Sequence, residues 1–339
     1  MSMTDVCIIG GGPAGLAAAL AARHRGLRVV LADGARQPID KACGEGLMPD
    51  TRLAAEALGL RLPPSAGVEF RGVRFLGERC SVHGNFPAGR GLGLRRTVLH
   101  EHLVAAAEQA GVDLRWGTPV TSLHQLPARW IIGADGVNSR VRHWAGLDSY
   151  RRNSARYAHR RHFAIQPWSE YVEVYWGAAC QIYITPVTPH EICAAVISRE
   201  PQLRLEAALH RCSPLLAARL AGAETTSRER GAVTMTRQLR AVAGGNVALL
   251  GDASGSVDAI TGEGIGLSFK QAIALADAIV RGDLQPYNAL HPRLSFRPRM
   301  MANLMLLMDR GRNIREGALG ALSSMPAVFQ KLLEVHVGA

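Results

Sequence analysis

A glycine-rich motif near the N-terminus constrains the fold of this chain more than any other feature. The apolar residues 6–9 run directly into the pattern G-x-G-x-x-G, formed by Gly10, Gly12 and Gly15, and an alanine-rich segment follows. This order predicts a buried strand, a tight turn and a helix, in which the first glycine permits the turn, the second lets the backbone approach a phosphate and the third lets helix and strand pack closely. Pro13 and Ala14 complete the turn, where the free N–H groups of a helix start would bind an anion.

An acidic residue follows the motif at the expected distance. A second apolar segment, residues 27–32, ends at Asp33. In nucleotide-binding folds of this type an acid roughly 20 positions after the glycines binds a ribose hydroxyl. The strand, the glycines, the helix and the acid occur in the right order, so the sequence predicts a dinucleotide-binding, Rossmann-like domain of the α/β class.

The length of 339 residues exceeds what one hydrophobic core usually supports, so we expect more than one domain. We predict a discontinuous nucleotide-binding domain in residues 1–60, 85–150 and 240–285. Residues 61–84 and 151–239 are rich in strands and predict an α+β substrate domain with an antiparallel sheet. Residues 286–339 have helical periodicity and predict a C-terminal helical cap. Thr97 is the predicted N-cap of a helix over residues 97–110.

A methionine-rich stripe lies in the predicted cap. Met300, Met301, Met305 and Met308 recur at helical spacing, together with neighbouring leucines. Such a stripe usually packs into a core, and we interpret it in that way. A wall for an apolar substrate and a surface that faces lipid are the alternatives.

Charge and cysteine content limit the partners and the compartment. The formal net charge is +11, but no recognised nucleic-acid-binding module is present, so nucleic acid is not an expected partner. We interpret this charge as a solvated basic surface that also attracts anionic cofactors; an acidic carrier protein and an anionic membrane surface are the alternatives. The six cysteines have neither disulfide-framework nor metal-ligand spacing, so we expect no metal site and a reducing, cytoplasmic location. No segment has the roughly 20 apolar residues of a membrane span.

Four separated motifs resemble those of one enzyme family. The opening motif is followed by Arg96 in an R-x-x-L-H pattern, by G-A-D-G around Asp135, and by L-G-D at Gly251 and Asp252, which leads into T-G-E-G-I. In this order they resemble the motifs of glutathione-reductase-type FAD enzymes with the p-hydroxybenzoate-hydroxylase-like fold. The resemblance covers residues 4 to about 280.

The resemblance implies that the cofactor is FAD and assigns a role to each motif. Gly10, Gly12 and Gly15 match the pyrophosphate-binding glycines, and Asp33 matches the acid that binds the adenosine ribose. Arg96 matches an arginine that lies along the cofactor, Val120 a backbone contact to adenine, and Asp252 the aspartate that binds the ribityl chain. The backbone at Gly262, Gly264 and Ile265 matches the helix start beside the flavin ring, where the helix dipole would stabilise negative charge. Asp135 could contact a reduced nicotinamide nucleotide, NAD(P)H, or serve only the structure.

Within this family the chain most resembles the geranylgeranyl-reductase and flavin-halogenase branch. The segment K-A-C-G-E-G contributes Lys41, Cys43 and Gly44, and Cys43 lies where this branch has a cysteine near the flavin ring. The favoured function is an NAD(P)H-using monooxygenase that hydroxylates a largely apolar or aromatic small molecule. The alternatives are a flavin reductase of carbon–carbon double bonds, as in the geranylgeranyl reductases, and a non-catalytic flavin-binding protein. The sequence indicates no catalytic acid or base.

Overall fold

The computed structural model describes residues 4–337. The strands are β1 (Thr4–Ile9), β2 (Val29–Asp33), β3 (Gly46–Leu47), β4 (Val68–Phe70), β5 (Gly72–Leu76), β6 (Ser81–Asn85), β7 (Gly91–Gly93), β8 (Asp113–Trp116), β9 (Ala128–Gly133), β10 (Tyr150–Phe163), β11 (Tyr171–Gly177), β12 (Cys180–Thr188), β13 (Glu191–Ser198), β14 (Arg230–Leu239), β15 (Ala243–Gly244), β16 (Val247–Leu249) and β17 (Gly255–Ser256). The helices are α1 (Pro13–Arg23), α2 (Pro49–Ala57), α3 (Arg96–Gln109), α4 (Arg140–Trp144), α5 (Leu205–Cys212), α6 (Pro214–Leu220), α7 (Gly264–Arg281), α8 (Gln285–Leu294), α9 (Phe296–Met308), α10 (Arg312–Ser324) and α11 (Pro326–Val337).

A six-stranded sheet forms the first layer, in the order β15-β16-β9-β1-β2-β8. All of its pairs are parallel except β15 with β16. Buried alanines such as Ala17, Ala19 and Ala21 let α1 lie close to this sheet, and α7 packs against α1. Because the strands are parallel, the ends of β1, β2, β9 and β16 meet at one edge, which is where ligands bind in such sheets.

The second sheet has eight strands in the order β17-β14-β10-β13-β12-β11-β5-β6. It is antiparallel except for the parallel pair of β5 and β11. Side chains alternate along β12: Ile182 and Ile184 pack under α5 and α6, whereas Tyr183 and Thr185 face a cavity on the other side. This sheet therefore has one face in a core and the other in a site.

Two parts of the chain connect the layers. A three-stranded sheet, β3-β7-β4, joins residues from the segments before and after the strands β5 and β6. At the C-terminal side, α8 packs against the first sheet, where the Tyr287 hydroxyl donates to Leu249 O at 2.9 Å. The helices α9, α10 and α11 instead pack near β6 and around the cavity. Among the helices of residues 4–337, none is long and apolar enough to cross a membrane.

Two details differ from the sequence-based expectations. The helix α3 begins at Arg96 and follows Arg95, which makes no side-chain cap, so the prediction of Thr97 as N-cap is wrong. The methionine stripe lies on more than one face of α9: Met301, Met305 and Met308 are buried, but Met300 is exposed. Its helical period was predictable, whereas the faces depend on where the neighbouring helices lie.

Candidate cofactor and substrate site

The glycine motif forms a tight turn between β1 and α1. Gly10 has φ of 111°, which favours glycine, and a Cβ at that position would overlap the carbonyl of Ala134 on the adjoining chain segment. A Cβ at Gly15 would overlap Gly10 O, so this glycine allows the close contact of helix and strand. Gly12 differs from both, because no atom lies within 4 Å of the Cβ it would carry. Its backbone therefore borders open space.

That open space is a cavity of about 1000 Å³, which extends from the turn to the C-terminal helices. Sixteen of the seventeen residues that the sequence analysis assigned to the cofactor line it: Gly10, Gly12, Pro13, Ala14, Asp33, Lys41, Cys43, Gly44, Arg96, Val120, Asp135, Gly251, Asp252, Gly262, Gly264 and Ile265. Gly15 is the exception, since it lies at the contact of helix and strand. Segments that are far apart in the sequence thus meet around one space.

Hydrogen bonds hold the turn in place. Asp33 Oδ2 accepts from Gly11 N at 2.6 Å, and its Oδ1 accepts from Ala35 N at 2.7 Å. His100 Nε2 lies 2.8 Å from Gly11 O, in a buried position that lowers its pKa. Sequence reasoning included His100 in the R-x-x-L-H pattern but assigned it no role. The structure shows that it supports the glycine turn from α3.

The two other predicted acids have different surroundings. Asp252 pairs with Lys41 at 3.0 Å, and both side chains are partly exposed to the cavity. The Asp135 carboxylate accepts from Ser139 Oγ and from the backbone N–H groups of Arg140 and Val141, at 2.5 to 3.1 Å. These bonds stabilise the start of α4, so much of the hydrogen-bonding capacity of Asp135 is used within the protein.

A buried acid that the sequence analysis did not identify holds the loop around Cys43. Glu45 has φ of 59°, and its carboxylate accepts from Arg96 N at 3.0 Å and lies 2.6 Å from His162 Nε2. Its ligand atom also lies within 4.8 Å of those of His162 and Cys193, a grouping that could hold a metal ion. The guanidinium of Arg160, 3.6 Å from Glu45, already supplies positive charge there. We therefore assign this cluster to loop positioning.

A second buried acid lies at the start of α7. Glu263 and His336 both line the cavity, and Glu263 Oε2 lies 3.4 Å from His336 Nδ1. Each side chain is about nine-tenths buried, and neither of these two atoms has a hydrogen-bond partner among the described residues. Burial raises the pKa of Glu263 to about 8 and lowers the pKa of His336 to about 4. The pair therefore holds one proton at neutral pH.

This pair predicts a pH dependence of stability. In the unfolded chain, both side chains have lost their protons above the ordinary histidine pKa of 6.5. In the folded protein, the pair keeps one proton up to about pH 8. Between these values the folded state binds more protons, so the free energy of unfolding should fall as pH rises, by about 2 kcal/mol. Urea unfolding at both ends of the range measures this fall.

The matched variants are Glu263→Gln and Glu334→Gln. The first should remove most of the fall, because an amide cannot lose the proton. The second should leave it unchanged, because the Lys331 hydrogen bond lowers the pKa of Glu334 and keeps this carboxylate ionised over the whole range. If the free energy of unfolding falls equally with pH in Glu263→Gln and in the parent protein, the assignment of the proton to this pair is contradicted.

The chemistry of the cavity fits FAD. Besides Gly12, the positions Gly44, Gly136, Gly262 and Gly264 have no atom within 4 Å of an added Cβ, so bare backbone borders the space at several points. The first N–H groups of α1 and α7 lie at its edge, and helix starts of this kind bind pyrophosphate and other anions. A space bordered by two helix starts and by the acid Asp33 suits a long, anionic dinucleotide.

Comparisons with known proteins agree with this geometry. Residues 3–127 match the family model described as an FAD binding domain. This part of the chain is therefore an FAD-binding domain. The predicted cofactor FAD and the predicted fold class, an α/β domain with a second sheet and C-terminal helices, are confirmed.

The chain is similar in sequence to two reductases and in fold to a protein described as a probable monooxygenase. A menaquinone reductase of Mycolicibacterium smegmatis is 27% identical over 332 residues, covering 86% of this chain and 80% of the relative. A digeranylgeranylglycerophospholipid reductase of Methanosarcina acetivorans is 29% identical over 176 residues, covering 43% of this chain and 40% of that protein. The crystal structure of pqsL, a probable FAD-dependent monooxygenase from Pseudomonas aeruginosa, has a TM-score of 0.76 at 22% identity and covers 93% of this chain and 99% of that one. The last similarity shows a shared fold. Given the domain match and the two similar reductases, the protein is an FAD-dependent oxidoreductase.

Proposed function

We propose that this FAD-dependent oxidoreductase reduces a carbon–carbon double bond in a large apolar molecule. The observation that carries the proposal is the Glu263–His336 pair, which keeps a proton in an otherwise largely apolar cavity. Saturating a double bond requires a hydride at one carbon and a proton at the other. FAD, once reduced, supplies the hydride when it is bound. Glu263 is the group that would give the proton, with His336 beside it.

The shape of the cavity supports an apolar substrate. Beyond the glycine turn, its walls are formed by the buried Met301, Met305 and Met308 of α9 and by Phe329 and Leu333 of α11. Methionine side chains are flexible and adapt to apolar ligands of irregular shape. The similarity to a menaquinone reductase over most of the chain also supports the reduction of a large apolar molecule.

Monooxygenation by NAD(P)H and oxygen, hydroxylating a largely apolar or aromatic molecule, is the second candidate. It is favoured by the apolar enclosure itself, because excluding water protects oxygen transfer from side reactions. In both candidates a reduced nicotinamide nucleotide is the proposed electron donor. A flavin-binding protein without turnover is the remaining alternative.

One experiment separates these functions. The FAD-loaded protein is incubated in detergent with NADPH or NADH and with menaquinone, an isoprenoid quinone. One sample is kept without oxygen and another under ¹⁸O₂. The product is reoxidised in air and then analysed by mass spectrometry. We expect an oxygen-independent gain of two hydrogens that survives reoxidation, since a quinol returns to the quinone but a saturated tail does not. Incorporation of ¹⁸O would instead establish monooxygenation. No product under either condition would contradict both activities on this substrate class.

The role of Glu263 is tested in the same assay. Glu263→Gln should lower turnover about a hundredfold or more, because an amide does not act as a general acid. The FAD content of the variant should stay unchanged, and a plot of the residual rate against pH should lose any transition near pH 8. Full activity of this variant would remove Glu263 from the reaction.

A further inference from the structure

The C-terminal helices expose an unusual number of large apolar side chains. Of the twelve exposed large hydrophobic residues in residues 4–337, seven lie between the start of α9 and the first turn of α11. We define the apolar face as these seven residues: Phe296, Met300, Leu304, Leu307, Ile314, Met325 and Val328. The first four recur at steps of four, four and three along α9, so they form one stripe on that helix.

Five residues of the apolar face also belong to the lining of the cavity. Leu304, Leu307, Ile314, Met325 and Val328 line the cavity although each of them is more than two-fifths exposed. Deeper in, the lining continues through the buried methionines of α9. The cavity lining thus includes large apolar side chains at the protein surface as well as buried ones.

The helix α9 is apolar on opposite sides. Its inner side carries Met301, Met305 and Met308, and its outer side carries the stripe of the apolar face. A helix with large apolar side chains on its outer side as well as on its inner side is normally covered on both. Contiguous exposed apolar surface of this kind marks an interaction site on a protein or a membrane.

Charge around the apolar face favours an anionic lipid surface. Residues 285–337 contain seven lysines and arginines but only three aspartates and glutamates. Arg293, Arg297 and Arg310 are exposed on α8, on α9 and just after α9. Arginines beside large apolar side chains are the composition of helices that lie in the interface of anionic membranes.

We propose that the apolar face docks on an anionic lipid bilayer, so that the cavity opens toward the acyl chains. An apolar substrate then passes from the bilayer into the cavity without crossing water. This substrate route rests on the function proposed above, whereas the docking itself requires no turnover. The two can therefore fail separately.

Vesicle sedimentation tests the docking. The FAD-loaded protein is mixed with vesicles of equal parts phosphatidylcholine and phosphatidylglycerol, or of phosphatidylcholine alone. We expect it to sediment with the anionic vesicles, and less with the neutral ones. Phe296→Glu combined with Met300→Glu should weaken this binding about tenfold or more, since two apolar contacts are lost and two negative charges are added. These two positions belong to the apolar face but do not line the cavity.

A matched control uses exposed apolar residues elsewhere. Leu215→Glu combined with Val280→Glu makes the same chemical change on α6 and α7, and it should bind vesicles as the parent does. Both double variants should keep their FAD, and the docking variant should keep its activity on substrate offered in detergent. A parent protein that stays in the supernatant with anionic vesicles would overturn the proposal, as would equal binding by the docking variant. The apolar face would instead be assigned to a protein partner by either of two results. The parent protein could form dimers that the docking variant does not form, or it could bind an acidic carrier protein and no vesicles.

Discussion

We expect the variant Gly12→Asp to purify without FAD. Gly12 precedes α1 with an extended backbone, φ −72° and ψ 178°, and a Cβ there meets no protein atom within 4 Å, so the fold accepts a side chain. That side chain projects into the cavity, however, and it brings a negative charge to the helix start that would bind the pyrophosphate. Affinity for FAD should fall by about a hundredfold or more. Flavin absorbance per mole of protein measures the loss, and circular dichroism checks the fold.

Gly12→Ala is the matched control for Gly12→Asp. It adds the same Cβ without the charge, so it should retain more FAD than the aspartate variant. A folded Gly12→Asp protein with a full complement of flavin would show that FAD does not bind along this turn. By contrast, Gly15→Val should fail to fold, because its Cβ would overlap Gly10 O between helix and strand.

The second large effect is expected from Arg156→Met. The guanidinium of Arg156 is buried, donates to Gln181 Oε1 at 2.6 Å and to Asp258 Oδ1 at 3.2 Å, and lies 3.9 Å from Asp309 Oδ2. It therefore connects β10, the loop before α7 and the end of α9. Without it, the buried carboxylates of Asp258 and Asp309 lose a cation, and the free energy of unfolding should fall by about 3–5 kcal/mol. Thermal or urea unfolding measures this loss.

Arg199→Met is the matched control for this network. Arg199 also binds Asp309, at 2.9 Å, but its side chain is 56% exposed. Arg199 is itself well solvated, and Asp309 keeps Gln181 Nε2 at 2.7 Å and Arg156 at 3.9 Å when Arg199 is replaced. The same substitution there should therefore lower stability by only about 1 kcal/mol. Similar losses in both variants would contradict the view that the buried guanidinium organises the junction.

The sequence indicated the cofactor site because local patterns place its parts. Gly10, Asp33 and Asp252 each follow or end an apolar strand, and parallel strands bring their ends to one edge. The substrate sheet and the C-terminal helices were likewise visible from periodicity. Short-range patterns therefore predict where the backbone turns and which cavity it borders.

The sequence could not show contacts between distant segments. Glu45 meets His162 only because β10 lies beside the loop that carries Glu45, and the raised pKa of Glu263 depends on burial beside His336 of α11. The error at Thr97 has a similar basis, since a hydroxyl residue suited the N-cap but the chain turns at Arg95. Such features depend on tertiary packing, on which local propensity carries no information.

The discontinuity of the first sheet has a consequence for biosynthesis. The strands β1, β2, β8 and β9 emerge from the ribosome early, but β16 and α7 follow only after the whole second sheet except β17 has been made. At typical elongation rates this interval lasts roughly 10 s, during which β9 has an unpaired, apolar edge. Because residues of α7 line the cofactor cavity, that cavity is complete only after this late segment has been made and has folded.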